Sequence, residues 1–578
     1  MTSTPTTSIT GSRYLAEALQ AGATTHVFMV PTVAVTALAE MDSLGIVGVM
    51  AHGEKAAAYM ADGYARVKRS PGFCFAQTIG SANLAAGLRD AYMAGSPVVA
   101  ITGGTSPQTR RKGVYQEIED FPIYEALTKY NMQLDDVTRL PDLLRQTLRE
   151  AMTGAPGPVH LELQGVVGTV LAGTLQLDEA GRAVMSEERY RVAPPFRVRP
   201  ERAAIAEAAE LLRRSQRPVV VAGGGVRMSG AQEQLAAFAE KAGVPVATSL
   251  NGKGTVDERA PYAVGVVGAS SRKSANQTVG QADLVIFIGS RTGSQTTDGW
   301  RLPASGTQVI QIDIDPTQLG RNYPNAVSIQ ADAAEALEAL TEAVSGVPDG
   351  RSVWLTEAAG YVTAWREQDA GLLGSTASPV RPERLCREIT EFLPADGVLV
   401  VDTGHSGIWS ASMIDLRPGQ TFIRAGGSLG WALPASIGAK AAAGDRTVVC
   451  FTGDGGFYYH LSEVETAIRH GLAPIVVVNN NVSLSQDMKI FQSSWGGAGK
   501  ITEAGDRMWR FTDVDLASVA RQLGAWSVRV DDPADLAGAL KEAQQAGRAA
   551  VLDVRTEAEA LPAVPFGGRD FYAAADES

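Results

Sequence analysis

The sequence predicts an α/β protein built from doubly wound parallel sheets, and three observations support this prediction. The chain has 578 residues, which is too long for one hydrophobic core and suggests three or four domains. Apolar runs with strand character alternate with stretches of helical spacing along most of its length. Several of these runs end in glycine or in small polar residues, as strands do where parallel sheets bind ligands.

The alternation divides the chain into three regions and a tail. The expected domains are 8–176, 199–345 and 378–560. Polar linkers are predicted between them, at 177–200 and 345–378. The tail, 561–578, contains aromatic residues and is expected either to dock as a lid or to fray as a chain end. The predicted strands of the first two regions are 25–28, 72–75, 98–102, 218–225, 245–248, 284–289 and 309–313.

The composition is that of an ordinary globular protein, with 45% hydrophobic and 20% charged residues. A formal charge of −12 and only short basic runs argue against nucleic-acid binding. We find no apolar run of membrane-spanning length and no signal peptide, so we expect no membrane partner and a cytoplasmic location. The three cysteines are far apart and are expected to be reduced core residues.

The stretch from Thr452 to Leu484 carries the most chemical information. It is predicted to complete one strand–helix–strand unit, and strands joined by one helix normally lie parallel in the same sheet. The polar residues that follow the two strands should therefore meet at one edge of that sheet. The parts of the unit are a strand at 446–451, the turn Gly453-Asp454-Gly455-Gly456, a helix at 461–470, a strand at 474–478 and the run Asn479-Asn480-Asn481.

One carboxylate, one amide oxygen and glycine amides suit a magnesium diphosphate, because Mg²⁺ prefers octahedral oxygen ligands. We assign Asp454 and one asparagine as side-chain ligands. Three asparagines in a row leave the register open; we prefer Asn481, with the backbone carbonyl of Ser483 as a third ligand. The alternative is a pair of ordinary strand-ending turns, in which Asp-Gly and Asn-Asn are common. The glycines that would let the backbone approach a phosphate are Gly453, Gly455 and Gly456.

The Gly-Asp-Gly turn followed by Asn-Asn one unit later resembles the signature of the thiamine diphosphate (ThDP) enzymes. The segment 53–66 resembles the one that carries the cofactor-activating glutamate, and 427–435 resembles the one that bends the cofactor into a V. The resemblance extends over roughly 10–560 and fits the acetolactate synthase and pyruvate oxidase-like branch. It implies three domains. The first would bind the pyrimidine of the cofactor, the second would resemble a nucleotide-binding domain, and the third would bind the diphosphate together with Mg²⁺. The family's spacing also favours Asn481 over Asn480.

The resemblance further implies a set of catalytic and cofactor-binding residues. Glu54 would share a proton with the aminopyrimidine, which requires a carboxyl group with a raised pKa in a dry pocket. Without the metal motif, Glu54 would be an ordinary helix-start glutamate favoured by the helix dipole. Asn83 would lie in a cofactor-facing loop, and Gln116 aligns with an active-site glutamine of carboligases. Either is equally well an ordinary polar loop residue.

The remaining implied contacts lie in the third domain. Leu429 would support the bent cofactor, in the segment that begins at Gly427. His405 belongs to a turn that matches a second diphosphate contact, although it could equally be structural. A short helix at 485–492 is expected over the pocket, where Gln486 and Asp487 could orient the substrate or move protons; for Asp487, a solvated helix face is the favoured interpretation. The turn that contains His405 consists of Gly404, His405 and Ser406.

Glu54 and the metal motif lie in different domains. In the family that this chain resembles, the pyrimidine rests on one subunit and the diphosphate on its neighbour. The resemblance therefore implies a homodimer, or a homotetramer, with active sites at the subunit interface and a small-molecule substrate. The central domain would hold FAD or an ADP moiety near Arg291 and Asp313. The segment 289–294 lacks the aspartates of acetolactate synthases, which argues against FAD.

The expected activity is carbon–carbon bond formation or cleavage at a 2-oxo acid or a related carbonyl. The chain has no His-His pair, which simple 2-oxo-acid decarboxylases carry. One alternative is a 2-hydroxyacyl-CoA lyase or acyl-CoA decarboxylase, with the tail as a lid over the thioester. A second alternative is a non-catalytic homologue.

Overall fold

The computed structural model describes residues 7–178, 181, 185, 187–344, 350–488, 491, 494–495 and 502–562. Their strands form three six-stranded parallel sheets and one two-stranded antiparallel ribbon. Each six-stranded sheet belongs to one of the three predicted regions and has helices packed on it, which confirms an α/β fold of three doubly wound domains. The predicted tail lies almost wholly outside the described residues. No helix of the described part is both long enough and apolar enough to span a bilayer.

The N-terminal sheet has the order β3-β2-β4-β5-β7-β6, and β1 pairs with β8 where the chain enters and leaves this domain. Its inner strands are almost wholly buried because helices cover both faces, and most of their residues are apolar, with His160 and Glu162 among the exceptions. The strands are β1 (Thr7–Thr10), β2 (His26–Met29), β3 (Val47–Met50), β4 (Gly72–Ala76), β5 (Val98–Gly104), β6 (Asn131–Leu134), β7 (Val159–Gln164) and β8 (Thr174–Leu177). The helices are Gly11–Ala21, Val35–Ser43, Glu54–Lys68, Ser81–Ala94 and Leu140–Met152.

The central sheet has the order β11-β10-β9-β12-β13-β14. The strand order reverses between β9 and β12, and such a reversal opens a crevice at the carboxyl ends of the two strands. The strands are β9 (Pro218–Ala222), β10 (Val246–Thr248), β11 (Ala263–Val266), β12 (Leu284–Ile288), β13 (Gln308–Asp313) and β14 (Val327–Gln330). The helices are Arg202–Arg214, Gly224–Ser229, Gln232–Ala242, Lys273–Gly280, Ser294–Thr297 and Ala333–Ala343.

The predicted linker at 345–378 is wrong, because most of it is the 23-residue helix Arg351–Leu373. Trp354 is buried against the central domain, where its Nε1 donates to the carbonyl oxygen of Pro218 at 3.0 Å. Trp365, three turns later, is packed in the C-terminal core. The helix therefore joins two domains. The sequence pattern did not reveal it, because apolar residues are spread around the helix and two of its five buried residues, Arg351 and Asp369, are charged.

The C-terminal sheet has the order β16-β15-β17-β18-β20-β19, so its strand order reverses between β15 and β17. The strands are β15 (Val398–Val401), β16 (Thr421–Arg424), β17 (Val448–Gly453), β18 (Ile475–Asn480), β19 (Trp526–Val530) and β20 (Ala550–Arg555). The helices are Pro382–Phe392, His405–Met413, Ala432–Ala443, Asp454–His460, Glu463–Arg469, Glu503–Asp506, Leu516–Gln522 and Leu536–Gln545. The helix predicted at 461–470 corresponds to Glu463–Arg469, but helical structure already starts at Asp454, and the two helices are separated around Leu461.

The N-terminal and C-terminal domains pack through the helices Glu54–Lys68 and Ala432–Ala443. A Cβ at Gly63 would overlap the Ala435 carbonyl oxygen, and a Cβ at Gly438 would overlap that of Met60. Glycine is therefore needed at both crossings, because the two backbones touch there. This contact fixes the helix that begins with Glu54 against the domain that carries the metal motif.

Candidate functional site

One pocket lies at the strand-order reversal of the C-terminal sheet, at the carboxyl ends of β15, β17 and β18. This is the position at which open α/β sheets bind ligands. The pocket brings together all the residues predicted for the diphosphate end. They are Gly404, His405, Ser406, Gly427, Leu429, Gly453, Asp454, Gly455, Gly456, Asn481 and Ser483.

Asp454 is a buried carboxylate at the start of its helix. Its Oδ1 accepts from the backbone N–H of Gly455 at 2.8 Å, and its Oδ2 accepts from that of Ser483 at 2.9 Å. Burial raises the pKa of Asp454 to about 7, although these hydrogen bonds oppose the shift. Among the described residues, no cationic side chain forms an ion pair with Asp454. A bound cation would stabilise its charged form.

The glycines beside Asp454 have different reasons for lacking a side chain. A Cβ at Gly455 would lie 2.6 Å from the Leu484 side chain, and one at Gly456 would lie 2.6 Å from Thr452 Oγ1. A side chain at either position would therefore require a neighbouring side chain to move. A Cβ at Gly453 would meet nothing closer than Ser406 Oγ at 3.8 Å. Gly453 is the one of the three that leaves open space in the pocket.

The three asparagines have three different environments. Asn480 is held on the far side of the strand: its Nδ2 donates to Asp553 Oδ1 at 2.6 Å, and its Oδ1 accepts from Arg555 at 3.0 Å. Asn481 lines the pocket, where its Oδ1 accepts from the Ser483 hydroxyl at 3.0 Å. Asn479 lines the same pocket. Side chains alternate across a strand, which explains why 479 and 481 share a face and 480 does not.

His405 is linked to Asn481 through a serine that sequence analysis missed. Asn481 Nδ2 donates to Ser485 Oγ at 2.8 Å, and Ser485 Oγ lies 2.8 Å from His405 Nδ1. Burial lowers the pKa of His405 to about 4, so the ring is neutral at pH 7. The Ser485 hydroxyl hydrogen can then donate to Nδ1. This chain of hydrogen bonds couples the second predicted turn to Asn481.

Asp402 organises the pocket, a role that its position after β15 does not by itself reveal. Its Oδ1 accepts from the Gly430 N–H at 3.0 Å, and its Oδ2 accepts from the Thr452 hydroxyl at 2.9 Å. Asp402 therefore ties the turn that carries Leu429 to the end of β17. Burial raises the pKa of Asp402 to about 6. From the N-terminal domain, Asp90 accepts from the Gly427 N–H of the same turn at 3.2 Å.

Two residues expected over the pocket, Gln486 and Asp487, do line it. They belong to a short 3₁₀ helix, Ser485–Asp487. Burial raises the pKa of Asp487. Beyond this point, residues 489, 490 and 492 of the predicted helix lie outside the described residues.

Glu54 and Asn83 lie together in the N-terminal domain and outside this pocket. Glu54 is half-buried, and Asn83 Nδ2 donates to its Oε2 at 3.3 Å. Gly80 was missed as a site residue: a Cβ there would lie within 2.7 Å of the Glu54 carboxyl carbon. The turn before Glu54 is fixed to the C-terminal domain, because the His52 N–H donates to the buried Glu463 at 3.1 Å.

Gln116 does not line the pocket of the C-terminal sheet, and it forms no hydrogen bond with Glu54 or Asn83. It lies in the loop between β5 and β6 with a φ of +64°, which is uncommon for a residue other than glycine. Glu117 shapes this loop by accepting from the backbone N–H groups of Gly113 at 2.9 Å and Val114 at 3.0 Å. The neighbouring Tyr115 is 82% exposed.

A second, larger pocket lies at the strand-order reversal of the central sheet. Both residues predicted to touch a nucleotide, Arg291 and Asp313, line it. Burial raises the pKa of Asp313 to about 6. The backbones of Gly225 and Gly289 approach so closely that a Cβ at Gly225 would lie 2.7 Å from Gly289 Cα.

Comparison with known proteins matches all three domains. The models for the N-terminal TPP binding domain, the central domain and the C-terminal TPP binding domain of thiamine pyrophosphate enzymes match residues 9–123, 205–340 and 402–554. The probable acetolactate synthase large subunit of Methanocaldococcus jannaschii is 30% identical over 91% of this chain and 88% of its own. The acetolactate synthase large subunit of Lactococcus lactis is 29% identical, over 86% and 84%.

The acetolactate synthase isozyme 2 large subunit of Escherichia coli is 29% identical over 82% of this chain and 83% of its own. The similarity thus spans all three domains and includes both sequence regions that carry the predicted site. The chain therefore belongs to the thiamine pyrophosphate enzyme family and is an enzyme of its acetolactate synthase-like group.

Proposed function

We propose that this protein uses ThDP and Mg²⁺ to form or cleave a carbon–carbon bond next to a carbonyl group, with a 2-oxo acid as donor. The observation that carries the proposal is the pocket at the strand-order reversal of the C-terminal sheet. There a buried carboxylate without a cationic partner among the described side chains, Asp454, lies with the amide of Asn481 beside the open backbone of Gly453.

The side chains of the pocket fit a magnesium diphosphate. Asp454, the Asn481 amide oxygen and the Ser483 carbonyl are hard oxygen donors of the kind that Mg²⁺ takes beside phosphate and water. The charge of Asp454 is disfavoured by burial, and Mg²⁺ would offset this cost. The open space at Gly453 suits a phosphate group that approaches the backbone. In this role Asn480 is structural and Asn481 is the ligand.

Bound ThDP supplies a carbon nucleophile that attacks carbonyl carbons. In the proposed site, Glu54 holds the proton shared with the pyrimidine ring, and Asn83 orients the Glu54 carboxylate. Leu429 supports the cofactor from the turn that Asp402 holds. Neutral His405 and Ser485 keep the Asn481 amide oriented toward the metal. Gln116 is proposed to contact the substrate.

We propose that the complete site forms between two copies of the chain, in a homodimer or a homotetramer. Glu54 does not line the pocket of its own chain, so one chain supplies only half of the proposed groups. The loops around Glu54 pack together, with the Ala34 N–H donating to Val167 and the Thr78 N–H to Val166. These loops expose three apolar side chains that a partner would cover: Val35 at 56%, Ile79 at 52% and Val167 at 38%.

The central pocket supports a nucleotide as a second cofactor, either FAD or an ADP moiety. Its position at a strand-order reversal, its closely packed glycines and the carboxylate of Asp313 are features of dinucleotide sites. An ADP moiety there would also suit the alternative acyl-CoA activity. Mass spectrometry of the ligands released from purified protein distinguishes the two.

Calorimetry and a donor screen test the proposed function. We expect ThDP to bind only when Mg²⁺ is present, and at least one 2-oxo acid to be decarboxylated with its acyl group found in a new product. An Asp454→Ala control should lose both properties. Turnover of 2-hydroxyacyl-CoA alone would favour the lyase alternative. A protein that binds ThDP but converts no donor would be a non-catalytic homologue, and one that binds no ThDP would refute the proposal.

A further inference from the structure

Asn479 has a side-chain amide without a hydrogen-bond partner in the described part of the protein. The residue is only 3% exposed, and its Oδ1 is a buried polar atom without a hydrogen-bond partner. The three residues before it in β18 are valines. A polar residue at this position interrupts an otherwise apolar strand.

An unpaired buried amide is costly, because the group loses its hydrogen bonds to water and gains none in return. Neighbouring asparagines do not share this problem: Asn480 is bonded to Asp553 and Asn481 to Ser485. A leucine or valine would avoid the penalty at 479. An amide kept at this cost is expected to use its other end, the NH₂ group, for a partner in the pocket which Asn479 lines.

The position of Asn479 limits what this partner can be. In the sheet it is paired with Gly453, whose backbone leaves open space in the pocket. It precedes Asn481 by two residues on the same face, so the two side chains are separated by roughly 7 Å along the strand. Asn479 thus lies at the floor of the pocket, below the proposed metal ligands and beside the backbone that would approach a phosphate.

We propose that Asn479 is a further cofactor-binding residue whose side-chain NH₂ donates to a phosphate oxygen of the diphosphate. The enclosed atom is Oδ1, whereas Nδ2 is not among the enclosed atoms, so the NH₂ end is the one open to the pocket, where phosphate oxygens accept hydrogen bonds. This inference rests on the proposed function, because it assumes that a diphosphate occupies the pocket.

Binding and stability measurements on Asn479 variants test the inference. The probes are ThDP and inorganic pyrophosphate, each titrated by calorimetry at saturating Mg²⁺. Asn479→Leu should weaken both probes about tenfold, the loss expected for one hydrogen bond to a charged group. The melting temperature of its cofactor-free form should stay the same or rise, since an unpaired buried amide is removed. Asn479→Val serves as a second apolar variant if the leucine does not fit.

Asn479→Asp identifies the donor. A carboxylate of the same shape cannot donate to phosphate and would repel it, so binding should weaken further than in Asn479→Leu. Tighter binding in Asn479→Asp would overturn the inference, because the amide oxygen would then be serving the metal or its water. Unchanged pyrophosphate binding in both apolar variants would overturn it as well.

Asn480→Leu is the matched control from the adjacent position. It should lower the melting temperature of the cofactor-free protein, because it removes the partner of Asp553 and Arg555. Opposite stability effects at 479 and 480 would separate the ligand-facing amide from the structural one. Wild-type protein that binds no ThDP would refute the proposed function, whereas wild-type binding with unaffected Asn479 variants would refute only this inference.

Discussion

Asn480 and Asp553 form a buried hydrogen bond of 2.6 Å between the neighbouring strands β18 and β20. The oxygen of the Asn480 amide accepts from the Val482 N–H at 3.1 Å as well as from Arg555. Val482 lies between the proposed ligands Asn481 and Ser483 and has a φ of +58°. A β-branched residue in this left-handed conformation costs roughly 1–2 kcal/mol. The Asn480–Asp553 pair therefore holds a strained ligand turn in place.

We expect Asp553→Asn to destabilise the protein by about 1–3 kcal/mol. The two carboxylate oxygens of Asp553 accept hydrogen bonds from the Asn480 amide and from the Leu516 N–H, and an amide at 553 has only one oxygen to accept them. The apparent Mg²⁺ affinity in ThDP binding should fall as the turn loosens. Val482→Gly removes the backbone strain and should restore part of the stability in the double variant. Unchanged Mg²⁺ dependence in Asp553→Asn would show that the pair does not position the ligand turn.

A complementation experiment tests whether the site spans two chains. Glu54→Gln should retain ThDP binding and lose nearly all turnover, because a glutamine cannot exchange the proton that Glu54 is proposed to hold. Asp454→Asn should lose Mg²⁺-dependent cofactor binding. The two inactive proteins are dissociated, mixed in equal amounts and allowed to reassociate. Half of the resulting dimers contain one copy of each variant, and each of these dimers has one intact site out of two. The mixture should therefore regain about a quarter of wild-type activity.

The same mixture would stay inactive if each chain formed its own site. Refolded wild-type protein is the control for losses in the procedure. An Asp454→Asn and Glu54→Gln double variant mixed with itself gives the background.

The strands and the crevice of the C-terminal domain were predictable because short runs of apolar, mostly β-branched residues, such as Val398–Val401 and Ile475–Val478, are typical of strands buried in a parallel sheet. The roles of the three asparagines were harder to predict. Alternation along a strand places 479 and 481 together, but the sequence does not mark which face of β18 meets the pocket. That face is decided by Asp553 and Arg555, which lie more than 70 residues further along the chain.

Long-range contacts also explain what sequence analysis missed. Asp402 acts through Gly430 and Thr452, and Gly80 is needed because of Glu54. All of these partners are more than 20 residues away along the chain, too far to share a helical turn or a strand with the residue that they contact. Local patterns therefore predict that such residues are buried, but not what they hold.

Stability should fall as the solution is acidified, and His160 is one source of this effect. Its Nε2 lies 2.8 Å from Thr102 Oγ1 and its Nδ1 lies 2.7 Å from Asn131 Oδ1. Burial lowers the pKa of His160 to about 3. Because this is below the value of about 6.5 for an unfolded chain, the unfolded state binds the proton first. The contribution is fully present above about pH 6.5 and is lost as the pH falls toward 3.

His160→Gln should reduce the difference in unfolding free energy between pH 7 and pH 5 by about 2 kcal/mol, as the linkage relation requires for one such proton. Urea titrations at the two pH values measure this difference. The variant will also lose hydrogen bonds at both pH values, and this loss cancels in the comparison. An undiminished pH difference would mean that folded His160 is protonated in this range.

The helix crossing between the N-terminal and C-terminal domains should tolerate no side chain. Gly438→Ala places a methyl group where the Met60 carbonyl oxygen lies, and Gly63→Ala does the same at Ala435. Both contacts are backbone atoms, which cannot rotate away, so each variant should lose about 3 kcal/mol or more. Gly360→Ala is the control, because Gly360 is in the exposed part of a helix with open space around it. It should gain roughly 0.5–1 kcal/mol from improved helix propensity.

Because the crossing also fixes the helix that starts at Glu54, Gly438→Ala should lower turnover more than ThDP binding. Equal losses of both would show that the crossing does not position Glu54.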